Sequence, residues 1–273
     1  MTSTHESGDT HAFELEIRIA ARPETVFALF VDRAAFADWM GGGMGAATIE
    51  PEVGGAVRVD YGGGWKIASG RVLALEAPSR FSFTWGYEDG KPFEAGATRV
   101  DITVEPAPGG SLVRLRHSGL PSEKAAQDHG GGWRLYTGIL ADRAAKAEHA
   151  ARLPTVLSDW FAAWAEPDAD ARIATLRRCV TDDAAFRHPM ALTVGPDALC
   201  SHITSSRMHM QGMDLGPAGP HEQVHQHVRF PWQVTKDGAV VATGVNVARV
   251  APDGRLAEVV GFTDQAPPGR NPS

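Results

Sequence analysis

Apolar and polar positions alternate from the first ordered-looking stretch of the chain. Phe13, Leu15, Ile17 and Ile19 are interleaved with Glu14, Glu16 and Arg18, the period of a half-buried strand over 13–20. Arg22-Pro23-Glu24 then sets a proline and an acid in the first turn of a helix whose apolar face is Val26, Phe27, Phe30 and Val31, and a short second helix is expected around Phe36 to Trp39. The two-residue period returns in Val57-Val59-Tyr61, Phe81-Phe83-Trp85, Val100-Ile102-Val104 and Val113-Leu115-His117. Arg58, Asp60, Ser82, Thr84, Arg99, Asp101, Arg114 and Arg116 occupy the positions between, so one face is covered and the other wet, as in an antiparallel sheet. Turn formers at 88–92 and 106–110 predict hairpin ends and hence a meander. A helix with the seam Trp133, Tyr136, Leu140, Ala144 and Ala147 follows, which predicts a sheet gripping one long helix over a cavity.

A fresh amphipathic pattern starts directly after that seam. Pro154 can open a helix but not sit inside one, which places a domain boundary at 151–154. Val156, Leu157, Trp160, Phe161 and Trp164 form one helical stripe, and Ile173, Leu176 and Val180 a second. Gly195-Pro196-Asp197 opens a third helix carrying Leu199, His202, Ile203 and Met210. Three strands are expected at Val224 to Val234, Ala239 to Val250 and Leu256 to Thr263, joined by turns at 236–238 and 252–254. The predicted organisation is a disordered tail at 1–11, domains at 12–150 and 153–266, and a second tail at 267–273. The glycine runs at 41–45, 62–64 and 130–132 lack the Lys-Ser/Thr ending of a phosphate-cradling loop and read as flexible turns.

Composition narrows the partners. Twenty-six basic and 33 acidic residues give a net charge of −7, and no basic run exceeds Arg177-Arg178, so nucleic acid is not an expected partner. No apolar run approaches the roughly 20 residues that cross a bilayer, and the first ten residues lack the apolar centre of a secretion signal. No membrane insertion is expected. The two cysteines, Cys179 and Cys200, cannot build a disulfide framework and suit a reducing cytoplasm, where each reads as a small core residue.

Several segments in order carry a family resemblance: 20–27 (AARPETVF), 36–39 (FADW), 81–85 (FSFTW), 116–120 (RHSGL) and Gly132-Trp133. Through them residues 12–150 resemble the START-like superfamily, also called SRPBCC, in the branch named for homology to the activator of the heat-shock protein 90 ATPase. The resemblance implies a helix-grip cavity that binds or transforms apolar small molecules such as lipids, sterols and polyketides. It also opens an interaction reading, stimulation of a heat-shock protein 90 ATPase, although nothing here resembles the separate chaperone-contacting domain of the eukaryotic cochaperones. Residues 153–266 are similar to the SnoaL-like branch of the nuclear transport factor 2 superfamily through 160–164 (WFAAW), 181–189 (TDDAAFRHP), 195–199 (GPDAL), 253–256 (DGRL) and Gly261-Phe262. That similarity implies a conical pocket, a homodimer through this domain, and a choice among cyclase, isomerase and hydrolase chemistries. The fold class expected is therefore α+β: a helix-grip START-like antiparallel sheet with a long C-terminal helix, then an α+β cone-shaped SnoaL-like domain.

Candidate chemistry is sparse. Where ketosteroid isomerases have a general-base aspartate before the proline, this chain has His188, and their oxygen-donating tyrosine aligns with Trp160. An imidazole can move protons near neutral pH, and an indole N–H can orient an oxygen without exchanging a proton. His188 is thus the candidate catalytic base of a cofactor-independent cyclase, isomerase or dehydratase. Asp182 and Asp183 read as turn or helix-end residues, and Asp264 as an exposed strand-end acid. His225 and His227 would share one strand face, but the same register points the apolar Val228, Phe230 and Trp232 the other way, so no metal site is expected. Two readings stay open for His117: a satisfied core histidine or a ligand contact. The expected lining is Trp39, Trp65, Trp85, His117, Trp133 and Tyr136 in the first pocket, and Trp160, Trp164, His202 and Trp232 in the second. No nucleophile motif or dinucleotide fingerprint is present, and no cofactor is expected. Binding or sequestration of an apolar, cyclic small molecule leads, with the enzyme and the chaperone partner as alternatives.

Overall fold

The computed structural model describes residues 11–42 and 45–265. The tails expected at either end lie outside these residues, apart from His11, which pairs with Leu120 and so opens the first strand. The chain divides into two compact units between Ala145 and Lys146. Both are α+β. No helix among the described residues is long and apolar enough to cross a membrane.

The first unit contains β1 (His11–Ile19), α1 (Pro23–Val31), α2 (Arg33–Gly41), β2 (Ala46–Ile49), β3 (Ala56–Asp60), β4 (Ile67–Glu76), β5 (Arg80–Trp85), β6 (Thr98–Ala107), β7 (Gly110–Leu120) and all but the last four residues of α3 (Glu123–His149). The strands form one antiparallel sheet in the order β1-β7-β6-β5-β4-β3-β2, a meander whose far edge is closed by the first strand. Val57, Val59, Phe81, Phe83, Val100, Ile102, Val113 and Leu115 are all buried on its inner face. The outer face is tied by cross-strand charges, Glu16 to Arg114 at 2.5 Å and Glu14 to Arg116 at 3.3 Å. Such exposed pairs contribute at most about 1 kcal/mol each, so the aromatic inner face dominates the energetics.

The glycines at 130–132 are not a turn. They lie inside α3, which begins ten residues before the seam, with the Ser122 hydroxyl accepting from the Ala125 amide at 3.1 Å. Three helical glycines cost about 1 kcal/mol each relative to alanine. The face they extend buries Trp133, Tyr136 and Leu140, each large side chain returning roughly 1.5–3 kcal/mol. Gly130 is also needed for close approach, because a Cβ there would stand 2.5 Å from the Phe13 ring. The buried seam runs from Trp133 through Ala144 and Ala145, while Ala147, expected on it, faces solvent.

The second unit holds α4 (Leu153–Ala165), α5 (Ala169–Cys179), β8 (Val180–His188), β9 (Ala191–Val194), α6 (Gly195–His209), β10 (Met213–Pro217), β11 (Glu222–Val224), β12 (His227–Lys236), β13 (Ala239–Val250) and β14 (Leu256–Gln265). The sheet order is β10-β12-β13-β14-β8-β9, with β11 beside β12. The single strand expected over 224–234 is in fact a hairpin: His225 adopts φ 52°, and Val224 pairs with His227 across the turn. His225 and His227 therefore do not share a strand face. Asp182 and Asp183 lie in β8, not at a turn or helix end, but in an irregular part of it. Leu256 pairs with Val180 and Glu258 with Ala185, so five steps along β8 face two along β14.

Gly131→Ala should stabilise the protein by up to about 1 kcal/mol in chemical unfolding, since nothing lies within 4 Å of its would-be Cβ. Gly130→Ala gains the same helix propensity but must displace Phe13, so it should yield no stabilisation or a net loss.

Candidate functional site

Aromatic rings run through the interior of the first unit as a continuous series. Phe30 stacks on Phe81 with centroids 5.1 Å apart, Phe81 meets Phe83 at 4.9 Å, Phe83 meets Trp85 at 5.8 Å, and Trp85 meets Trp133 at 6.0 Å. Trp39 on α2 is fully buried, and its indole N–H donates to the Leu29 carbonyl at 2.9 Å. Trp133 donates to His117 Nδ1 at 3.0 Å. An indole can only donate, so this nitrogen of His117 carries a lone pair and the proton sits on Nε2. Nε2–H then donates to Thr98 Oγ1 at 2.7 Å, and the Thr98 hydroxyl donates to the Trp85 carbonyl at 2.8 Å. Every donor proton in this dry relay has an acceptor.

The expected lining is corrected accordingly. Trp39, Trp85, Trp133 and His117 are packed or bonded within the core, and His117 has neither nitrogen left for a ligand. Trp65 is 74% exposed beside the glycine turn, where its N–H reaches the Tyr61 carbonyl at 3.3 Å, so it lies outside the interior altogether. Tyr136 alone of the six has its polar group at the end of the aromatic series, where it meets the hydroxyl of Tyr61.

Tyr136 has company that sequence reasoning missed. The chain has three tyrosines, and Tyr61, Tyr87 and Tyr136 converge at one end of the aromatic series. Tyr61 and Tyr136 have centroids 6.4 Å apart. Burial first, and then the phenols of Tyr87 and Tyr136, hold the Tyr61 hydroxyl well above its ordinary range. Tyr87 is committed: its hydroxyl meets His129 Nε2 at 3.0 Å, while His129 Nδ1 donates to the Ala125 carbonyl at 2.7 Å. Nε2 is therefore the acceptor. Lys66 lies 4.4 Å from the centre of the Tyr87 ring and is held by both carboxylate oxygens of Asp89. The Tyr61 and Tyr136 hydroxyls face each other at this end, and a hydrogen bond between them uses one of their two protons and leaves the other. Only the scarcity of tyrosine could have drawn attention to them.

The second unit gathers a different set around Phe186 of β8. Trp160 and Trp164 of α4 lie 5.8 and 6.1 Å from its ring, His202 of α6 lies 5.7 Å away, and His188 stacks parallel at 6.3 Å. Gly261 makes the room, since a Cβ there would stand 3.2 Å from the His188 ring and 3.0 Å from Asn246 Oδ1. His188 Nε2 is 3.2 Å from Thr263 Oγ1, and its Nδ1 accepts from the Met190 amide at 3.4 Å. Burial, and secondarily His202, lowers the His188 pKa; burial alone lowers that of His202. Both rings are neutral at pH 7. Trp160 Nε1, Trp164 Nε1 and Thr193 Oγ1 are buried with no hydrogen-bond partner. Each such group costs about 1–3 kcal/mol, and together they form a set of polar groups able to serve an incoming oxygen.

Other candidates lie apart. Trp232 packs in a separate small cluster with Val234 and Ala242, its ring against Gly244. Asp182, Asp183 and Asp264 are exposed. Cys179 is buried, which pushes its thiol up to about 12, far from a nucleophile's range. Among the described residues no three His, Cys, Asp or Glu side chains gather as metal ligands.

The His117 relay has a measurable consequence. Burial, and then His129, drops its pKa from 6.5 to about 3. The unfolded chain takes up this proton near pH 6.5 and the folded one only near pH 3, so the stabilisation is complete above 6.5 and is lost as pH falls through that window. The slope attributable to this one group is at most about 1.4 kcal/mol per pH unit. His117→Gln, which keeps an acceptor for Trp133 and a donor for Thr98, should flatten the acid limb of a stability–pH curve by about one proton.

Residues 20–145 match the family described as Activator of Hsp90 ATPase homolog 1-like protein. Among solved structures, an AHSA1-like protein from Rhizobium etli is 34% identical, covering 50% of this chain and 83% of that one with a TM-score of 0.41. The AHSA1 protein from Silicibacter pomeroyi is 26% identical, covering 48% and 95% with a TM-score of 0.41. A SnoaL-like family protein from Agrobacterium tumefaciens is 26% identical, covering 43% and 97% with a TM-score of 0.39. No curated protein matches the chain. Through its first unit, the chain belongs to the activator of Hsp90 ATPase homolog 1-like family.

Proposed function

We propose that the protein binds an apolar, cyclic small molecule carrying at least one oxygen, held in the first unit at the tyrosine end of its aromatic interior. The observation that carries this reading is the Tyr61–Tyr136 hydroxyl pair, which keeps one proton beyond its mutual hydrogen bond, beside a buried aromatic series. A flat apolar guest gains from the rings, and phenols held neutral by burial suit a carbonyl or hydroxyl better than an anion. Native mass spectrometry of the protein from its own host should reveal a co-purifying small molecule. Tyr136→Phe removes one hydrogen bond and should weaken binding about fivefold, the effect of about 1 kcal/mol. A folded protein with no bound mass, whose Tyr136→Phe variant behaves identically towards a panel of cyclic ketones and phenols, overturns the reading.

The second unit favours an additional, catalytic reading through one specific arrangement. His188 is neutral and touches Thr263, with His202 and two unpartnered indole N–H groups around the same phenylalanine. In that reading His188 takes up a proton from the substrate, and Trp160 or Trp164 donates to the oxygen on which charge develops. His188→Gln should then abolish turnover while leaving binding within about threefold. Because its pKa is lowered, activity should hold through neutral pH and fall only on the acid side of 6.5. A kcat unchanged in that variant removes His188 from the chemistry.

A second copy of the chain is the proposed macromolecular partner. The register sets Leu192, Val260 and Phe262 on one outward sheet face together with Val194, and Leu192, Val194 and Phe262 are strongly exposed. The same mass spectra report the stoichiometry. Stimulation of a purified chaperone ATPase would put the interaction reading in place of ligand binding.

A further inference from the structure

A cleft of about 610 Å³ opens in the second unit between the start of α4, the end of α5 and the turn joining β13 to β14. Four arginines and two aspartates line it: Arg152, Arg177, Arg178, Arg255, Asp159 and Asp253, a formal surplus of two positive charges from four minus two. This is unusual in a chain whose net charge is −7. The guanidinium groups are not equally committed. Arg178 forms a two-pronged pair with Asp159 at 3.1 and 3.1 Å, and Arg255 is fixed by Asp253 at 2.7 Å and by the Val180 carbonyl at 3.2 Å. Arg152 bonds only main-chain oxygens, the Asp253 carbonyl at 2.5 Å and the Arg178 carbonyl at 3.4 Å. No carboxylate is hydrogen-bonded to it, although its charge is among those that hold the Asp253 carboxyl below its ordinary range. Arg177 reaches Asp197, outside the cleft, at 3.3 Å with both side chains more than half exposed, and Asp182 reaches Arg255 at 3.6 Å from an equally open position. Solvent screens both contacts, so neither cancels the surplus.

From this arrangement we propose that the cleft is a binding site for a small phosphorylated molecule, with Arg152 and Arg177, which no carboxylate of the cleft holds by a hydrogen bond, supplying the guanidinium donors and Arg178 and Arg255 the fixed positive wall. A phosphate monoester carries close to two negative charges at neutral pH and accepts parallel N–H bonds from planar guanidinium groups, matching both the surplus and the donors. A monocarboxylate would leave one charge over. Thr155 and Val156, in the first turn of α4, line the same cleft, and that helix end has no side-chain cap. The helix dipole adds to the attraction without being needed to create it. The volume lies within the roughly 300–1,000 Å³ of small-molecule sites, and the two aspartates break the basic surface that a nucleic-acid backbone would track.

Calorimetric titration of the full chain with inorganic phosphate and with pyrophosphate, against sodium chloride at matched ionic strength, tests the site. Saturable phosphate binding is expected in the wild type, weakened about tenfold or more in Arg152→Gln and again in Arg177→Gln, and unchanged in Arg187→Gln outside the cleft. The ion pair of Arg177 is with Asp197, outside the cleft, so its variant decides the matter even if Arg152→Gln disturbs the turn at Asp253. Heat that chloride reproduces, or binding that survives both cleft substitutions, overturns the proposal. Neither result bears on the tyrosine end of the first unit.

Discussion

The hydrogen-bond relay from Trp133 through His117 and Thr98 to the Trp85 carbonyl fixes the first unit. It joins the long helix to three strands through groups that have no access to water, and each donor has one acceptor. A buried polar network of this kind is favourable only when complete, because a single unmatched group would cost more than a typical bond contributes. Completeness also fixes geometry. With Trp133 held by its N–H, α3 cannot rotate without breaking the relay, and Tyr136, one turn along the same face, is set beside Tyr61.

The second unit answers the same problem differently. Its indoles at Trp160 and Trp164 are buried without partners, while His188 and His202 remain only half-buried beside them. Where the first unit spends its polar groups on structure, the second keeps them in reserve around Phe186. Backbone irregularity helps to arrange this: the five-against-two mismatch between β8 and β14 re-aims the end of β8, and Gly261 leaves space for the His188 ring. The arginine cleft lies beside the same irregular stretch, where Arg255 holds the first carbonyl of β8.

Local periodicity made much of the architecture legible. Strict alternation of apolar and polar residues marked β1, β3, β5, β6 and β7, whose apolar side chains share one dry face, although in β5 the intervening Ser82 is buried as well. β2 and β9 were too short to show a period, β4 alternates imperfectly around Gly70, and β8 loses its alternation at the bulge. Gly130 to Gly132 misled for a related reason. Glycine's low helix propensity is a local property, and the contact with Phe13 that requires it comes from a strand more than a hundred residues earlier.

The sequence by itself determined the α+β class, the resemblance of each half and the aromatic character of the interior, since these follow from patterns within a few residues. Only the tertiary structure decided which aromatic groups remain free. Trp133 and Tyr136 sit three residues apart on one helix face, yet one is bonded to a histidine and the other meets a second tyrosine. The same holds for Arg152 and Arg178, one left with carbonyls and the other paired. A side chain's availability depends on what distant strands bring opposite it, and that pairing is a long-range fact that no local pattern records.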